Sequence, residues 1–194
     1  IVKNREWHSD KKENENYKKE IWGSDFSKYD YSDSNSFVFY GKHLATYVDL
    51  RFFNQKRLLV REITSPNIIG CLVTEELVND PQLISIIPKS NLISLEILWS
   101  IINSKLATFY HFNSSPKATK GAFPKILVED IKNFPLPKID KNNQEKLTIL
   151  VDQILSLKKV DAKDDTSKLE NDIDELVYKL YELTPEEIEV VKNS

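Results

Sequence analysis

Apolar residues recur along this chain with two different periods, and the change of period divides it. In one late run Leu147, Leu150, Val151, Ile154 and Leu155 return at intervals of three and four; in the next, Leu169, Ile173, Leu176, Val177 and Leu180 do the same. Such spacing places each set on one face of a helix. The first run predicts a helix over 144–159, with Asn142 and Glu145 able to form its capping pair. Residues 161–166 then turn the chain, and a helix over 167–182 runs back. Two antiparallel helices with matching apolar stripes form a hairpin or the arm of a short coiled coil. Thr184, Pro185 and Glu187 follow in the arrangement of a capping box with proline at the first helical position, which predicts a final short helix.

Upstream the pattern shortens. Residues 37–40, 57–64, 68–74 and 83–88 are β-branched or aromatic runs bounded by Gly41, Pro66-Asn67, Asn79-Asp-Pro81 and Pro88, and they predict strands. Pro66-Asn67 suits a hairpin turn between the second and third of these. Residues 92–111 are apolar nearly all round, as in a helix buried against the sheet. A polar loop over 113–121 and an extended connector, Phe134-Pro-Leu-Pro137, complete the middle of the chain. Residues 1–36 are polar but carry Trp7, Tyr17, Trp22, Phe26, Tyr29 and Tyr31, and are expected to be an arm or linker pinned to a neighbour by its aromatics. The expected fold is α+β: a twisted, mostly antiparallel sheet with one buried helix, followed by an antiparallel helical hairpin. Its expected parts are an arm (1–36), an α/β body (37–140) and a C-terminal hairpin with its capped terminal helix (141–194).

Composition changes this picture in four places. A chain of 194 residues with 40% hydrophobic residues can build a real core. The single cysteine, Cys71, excludes an internal disulfide framework and suits a reducing cytoplasm, where the protein is expected; in its apolar strand it is expected to be a buried small hydrophobe. No apolar stretch approaches the roughly 18 uninterrupted residues of a membrane span, so no membrane partner is expected. The chain has no methionine, even at position 1, and is expected to be a piece of a longer protein.

The net charge of −3 hides an asymmetry. Residues 161–194 carry eleven acids against four lysines, a net −7, whereas residues 37–160 carry sixteen basic against eleven acidic side chains, a net +5. A mildly basic body with an acidic tail is compatible with phosphate contact by the body alone.

Four landmarks give the chain a family resemblance. Tyr40-Gly41-Lys42 leads to Lys56-Arg57-Leu-Leu-Val-Arg61-Glu-Ile63. Leu95-Glu-Ile-Leu-Trp-Ser-Ile-Ile-Asn-Ser-Lys-Leu106 runs into Phe109-Tyr110. Phe134-Pro-Leu-Pro137 precedes Gln144 and Val151-Asp-Gln-Ile-Leu155, and the run from Leu169 through Tyr181-Glu-Leu-Thr-Pro-Glu-Glu187 to Val191 closes the set. In this order they resemble the TaqI-like C-terminal specificity domains, the target-recognition regions of adenine-specific DNA methyltransferases and type IIG restriction-modification enzymes. The resemblance extends from about Phe37 to Val191. It implies sequence-specific recognition of double-stranded DNA, in partnership with a catalytic methyltransferase domain of the same parent chain. That domain would use S-adenosylmethionine; this fragment would need no cofactor and would not be an enzyme. Methylation of a flipped-out adenine needs an Asn-Pro-Pro-Tyr or Asp-Pro-Pro-Tyr tetrad, and the sequence has no Pro-Pro. Its glycines, at 23, 41, 70 and 121, are too scattered for a cofactor loop.

Candidate DNA-binding residues fall in two groups. Arg57 and Arg61, with Lys56 beside them, lie four apart in a strand and so share a face. That face either offers guanidinium forks to guanine or pairs with Asp49 or Glu62. The loop over 113–121 offers Ser114, Ser115, Lys117, Thr119 and Lys120, with Lys125 close behind, all able to bond phosphate; the alternative is an ordinary solvated loop. Two other classes of function stay open. Glu129-Asp130-Ile131-Lys132 contains the Asp-x-Lys of metal-dependent nucleases, with Asp80 as a second acid. The acidic hairpin could instead dock a protein partner. Ser115-Pro-Lys-Ala-Thr-Lys120-Gly121 lacks the glycines and the Lys-Ser/Thr order of a phosphate loop. His8, His43 and His111 have no second ligand at metal spacing.

Overall fold

Arg57–Arg61 (β4) is the strand about which the rest of the structure is arranged. The computed structural model describes residues 5–25, 27–31, 35–64, 66–89, 93–119 and 123–194. β4 lies between Gly70–Val73 (β5) and Leu83–Ile86 (β7), antiparallel to both, with Leu58 opposite Leu72 and Ile86, and Leu59 opposite Cys71 and Ser85. Leu58, Leu59 and Val60 are all fully buried, as a strand covered on both faces requires. The pleat divides them: Leu58 and Val60 join the helical core, and Leu59 joins a second cluster with Ile21, Cys71, Val73, Leu77 and Leu83.

The second cluster is roofed by residues expected to form an arm. His8–Ser9 (β1), Tyr17–Ile21 (β2), Phe37–Phe39 (β3) and Val78–Asn79 (β6) form a second sheet in the order β1-β3-β2-β6, with β2 antiparallel to β3 and parallel to β6. Ile21 is buried in the second core cluster, and the aromatics of the segment are spent inside the chain. Trp7 stacks on Phe39, and the Tyr29 hydroxyl donates to Glu170. The segment before Phe37 is thus built into the body; its alternation was masked by short strands and a high content of charged residues. Phe26 lies outside the described residues.

On the other face of β4 lie the helices. The apolar run expected as one helix is two, Leu95–Ile102 (α1) and Lys105–Ser114 (α2), broken at Asn103-Ser104. Ser104 caps α2 by accepting from the Ala107 amide, and Asn103 bonds both backbone groups of Gly70. A side chain at position 70 would begin 3.2 Å from Leu58 and 3.3 Å from Ile102, so glycine allows the end of α1 to approach β5 this closely. Pro116–Thr119 (α3) and Val128–Lys132 (α4) are single turns.

Lys141–Val160 (α5) and Ser167–Leu180 (α6) form the expected antiparallel hairpin, but it is no projecting arm. Leu147, Val151, Ile154, Ile173 and Val177 join Leu58, Val60 and Trp99 in one core. Asp140 caps α5 by accepting from the Asn143 amide, so the cap falls two residues before Asn142. Glu182 takes a positive φ of 56° in the turn before Pro185–Lys192 (α7), where Thr184 and Glu187 form the expected capping box. The whole is a mixed α+β fold, as expected. Among the described residues, no helix is long and apolar enough to cross a membrane.

Candidate nucleic-acid interface

Beyond Arg61, the chain leaves the sheet and acquires a new neighbour. The Thr64 amide donates to the Pro124 carbonyl at 3.0 Å, the Ile126 amide to Glu62 at 2.9 Å, and Ile63 forms an antiparallel bridge with Lys125. The Lys125 amide donates in turn to the Lys117 carbonyl at 3.2 Å. These bonds lay residues 123–126 against the extension of β4 and bring Lys117 and Lys125 to one edge. Lys117 is exposed and makes no bond through its amine to a described residue, whereas Lys125 is half exposed and 3.2 Å from Glu62.

Phe123, two residues before Lys125, is 65% exposed, the most exposed aromatic ring among the described residues. It stands on this basic edge, and the sequence pattern did not single it out. The signal lay in Gly121-Ala-Phe-Pro124, an aromatic outside any apolar period. An exposed ring beside lysines offers a stacking face together with cations, the combination that grips nucleic acid without hydrogen-bonded base contacts.

The stretch expected to be a loop here is partly helical. Ser114 ends α2 and is exposed; Ser115 is its cap and is buried, its hydroxyl without a hydrogen-bond partner, so it does not offer an oxygen to phosphate in this structure. Nothing is described of the Thr119 side chain or of Lys120. Beneath the edge, His111 is buried with its Nε2 3.3 Å from the Thr64 hydroxyl, and burial lowers its pKa despite the nearby Asp130 carboxylate.

The arginine pair has a different fate. Arg57 and Arg61 do share a face of β4, but at position 57 that face is interior. Arg57 is fully buried, and its guanidinium donates to the carbonyls of Phe53, Gln55, Glu75 and Leu77. Burial draws its pKa down to about 10, which leaves it charged at neutral pH. It therefore has no fork to present to a base, and it pairs with neither Asp49 nor Glu62. A lone cationic side chain in an apolar strand gives no sign in the sequence of whether carbonyls wait for it inside. Arg61 is partly exposed, its Nε donating to Ile63 O at 3.0 Å, and Lys56 is ion-paired with Glu96 near the start of α1.

The acids of the nuclease alternative are occupied separately. Asp130 accepts from the Leu127 amide at the start of α4, while Asp80 is buried beyond β6 and accepts from the Gln82 amide. Among the described residues, no group of three or more His, Cys, Asp or Glu side chains is placed to hold a metal ion. Cys71 is buried, and desolvation pushes its thiol up to about 12.

An α+β body thus carries Lys117, Lys125 and the exposed Phe123 ring together beside the extension of β4. The chain belongs to the family of TaqI-like C-terminal specificity domains, whose model matches residues 18–136. The match takes in β2, which the resemblance had left out, and ends before the hairpin and the C-terminal run. Membership points to DNA sequence recognition in restriction-modification systems. Among curated proteins, none matches the chain.

Proposed function

We propose that this domain reads a sequence in double-stranded DNA on behalf of an adenine-specific DNA methyltransferase or a combined restriction-modification enzyme. The observation that carries the reading is the family match over residues 18–136, which takes in the β4 sheet, the second sheet apart from β1, and the Lys117–Lys125 edge. Lys117 and Lys125 contact phosphates there, with Ser114 as a hydroxyl donor and Phe123 as a stacking face; Lys120 and Thr119 join them on the ground of sequence alone, and Lys56 and Arg61, just before and at the end of β4, are further cations. The domain itself is not catalytic. Methyl transfer belongs to a separate domain of the parent chain, which binds S-adenosylmethionine. Placing the cofactor elsewhere is supported by the glycines among the described residues: Gly70 begins β5 against Leu58 and Ile102, Gly23 opens a single helical turn, and Gly41 lies in a separate turn.

Fluorescence-anisotropy titration with a random-sequence duplex across a salt series tests the reading. Affinity should fall steeply with salt, and replacing Lys117 and Lys120 together by Ala should lower the log–log slope by about two. Failure to bind DNA even at low salt overturns it.

A further inference from the structure

The connection from β3 to β4, residues 40–56, is long, yet it is fastened at several points. Tyr40 leaves the sheet, and its hydroxyl both accepts from the Val48 amide at 3.1 Å and donates to the Val48 carbonyl at 2.5 Å. Gly41 lets the following turn fold back, because a Cβ there would sit 2.9 Å from the His43 ring, itself packed 4.3 Å from Trp7. Asp49 accepts from the Arg51 amide at 3.0 Å and caps the single turn Leu50–Phe52. Phe53 then buries its ring, and its carbonyl accepts both from Arg57 and from the Leu77 amide. The buried guanidinium is thus the clamp beneath this loop.

The clamp holds out two aromatic rings. Phe52 is 37% exposed and Tyr47 41%, with Val48 beside them. The Arg51 guanidinium lies 4.9 Å from the centre of the Phe52 ring, and its side chain is 73% exposed. Asp49 approaches it only to 3.9 Å. Lys42 adds an exposed cation, so the segment carries two arginine or lysine charges against the one carboxylate of Asp49 before Lys56 is reached. Long loops are often functional, and this one is held by its own hydrogen bonds and a capped turn. Rigidly presented aromatic and cationic groups suit an anionic partner with flat faces, which is nucleic acid, better than an apolar protein groove.

We propose that this loop is a second DNA-contacting element, in which Phe52 packs on a base or sugar face while Arg51 meets the adjacent phosphate. The inference rests on the reading that the domain grips DNA. It places contacts at both ends of β4: Phe52 and Arg51 before the strand, and Lys117, Phe123 and Lys125 after it. Strand geometry separates these ends by roughly 20 Å along the chain from Lys56 to Glu62.

The test uses the whole chain and a random-sequence duplex, with Lys117→Ala, Phe52→Ala and Arg51→Ala compared by anisotropy over a salt series. Phe52→Ala should weaken binding about five- to tenfold with the salt slope unchanged, as loss of a stacking contact does. Arg51→Ala should weaken it and lower the slope by about one. Both residues are exposed, so thermal midpoints should stay within a degree or two of the parent's. Wild-type affinity and slope in both loop variants, while Lys117→Ala still weakens binding, would overturn this inference alone and leave the Lys117 edge as the interface. A wild-type chain that does not bind DNA would overturn the inference together with the reading beneath it.

Discussion

A guanidinium with no exposed surface must find its acceptors inside the protein, and Arg57 finds four backbone carbonyls from two separate segments. Removing it takes a charged donor from Leu77 O and Phe53 O inside the protein, while the Gln55 and Glu75 carbonyls lie nearer the surface. Each hydrogen bond from a charged group is worth about 1.5–3 kcal/mol. Arg57→Leu fits the volume of the strand but offers no donor, and should lower stability by about 3 kcal/mol or more, read as a fall in the urea midpoint. Arg57→Lys should recover only part of this, because one ammonium cannot fork between Phe53 O and Leu77 O. A midpoint unchanged in Arg57→Leu would mean that the carbonyls are satisfied without the guanidinium. Residue type alone could not have revealed this site: Arg57 and Arg61 look alike in the sequence, and only the folding of the segments 53–55 and 75–77 around the start of the strand makes the first internal, while the second stays partly exposed.

At the scale of elements, what was legible followed how continuous each period is. The stripes of α5 and α6 repeat for several turns, and the residues picked from them are buried or partly buried in the core. The capping box at Thr184 and Glu187 was equally plain, because both partners are local. The run through α1 and α2 misled because its apolar residues continue across Asn103-Ser104, so the break is carried by two polar side chains rather than by the pattern. Ser104 supplies the cap that starts α2, and Ser104→Ala should cost about 1 kcal/mol, measured by chemical denaturation. Asn103→Ala should cost more than the serine does, since the amide joins α1 to both backbone groups of Gly70. If the two variants were equally stable, the link from Asn103 to the sheet edge would add nothing beyond capping. The strands β1 and β2 escaped notice for the opposite reason: two and five residues are too short to establish alternation, and β2 carries Lys18, Lys19 and Glu20.

For the molecule as a whole, the division into arm, body and hairpin does not survive as a division of the core. Lys28 pairs with Glu170 at 2.7 Å, Trp99 donates its indole N–H to the Lys28 carbonyl, and Asp174 of α6 accepts from the Lys105 amide at the start of α2. Burial raises the Asp174 pKa, so this carboxylate is held at some cost, offset by the amide and the Lys105 ammonium 3.8 Å away. The N-terminal segment, the helices behind β4 and the acidic hairpin therefore hold one another, although the family match stops at residue 136. A chain ended after Asp140 would lose Leu147, Val151, Ile154, Ile173 and Val177, leaving the apolar side chains of α1 that pack against the hairpin facing water. At about 2–5 kcal/mol for each of these five side chains, the loss of about 10–25 kcal/mol is as large as the roughly 5–15 kcal/mol by which a domain of this size is stable. The truncated chain should therefore show no cooperative thermal transition, while the 194-residue chain melts in one step. A sharp melt in the truncated chain would instead make residues 5–140 a self-sufficient body, and would free the hairpin's acidic face for the protein-docking role that its charge alone suggests.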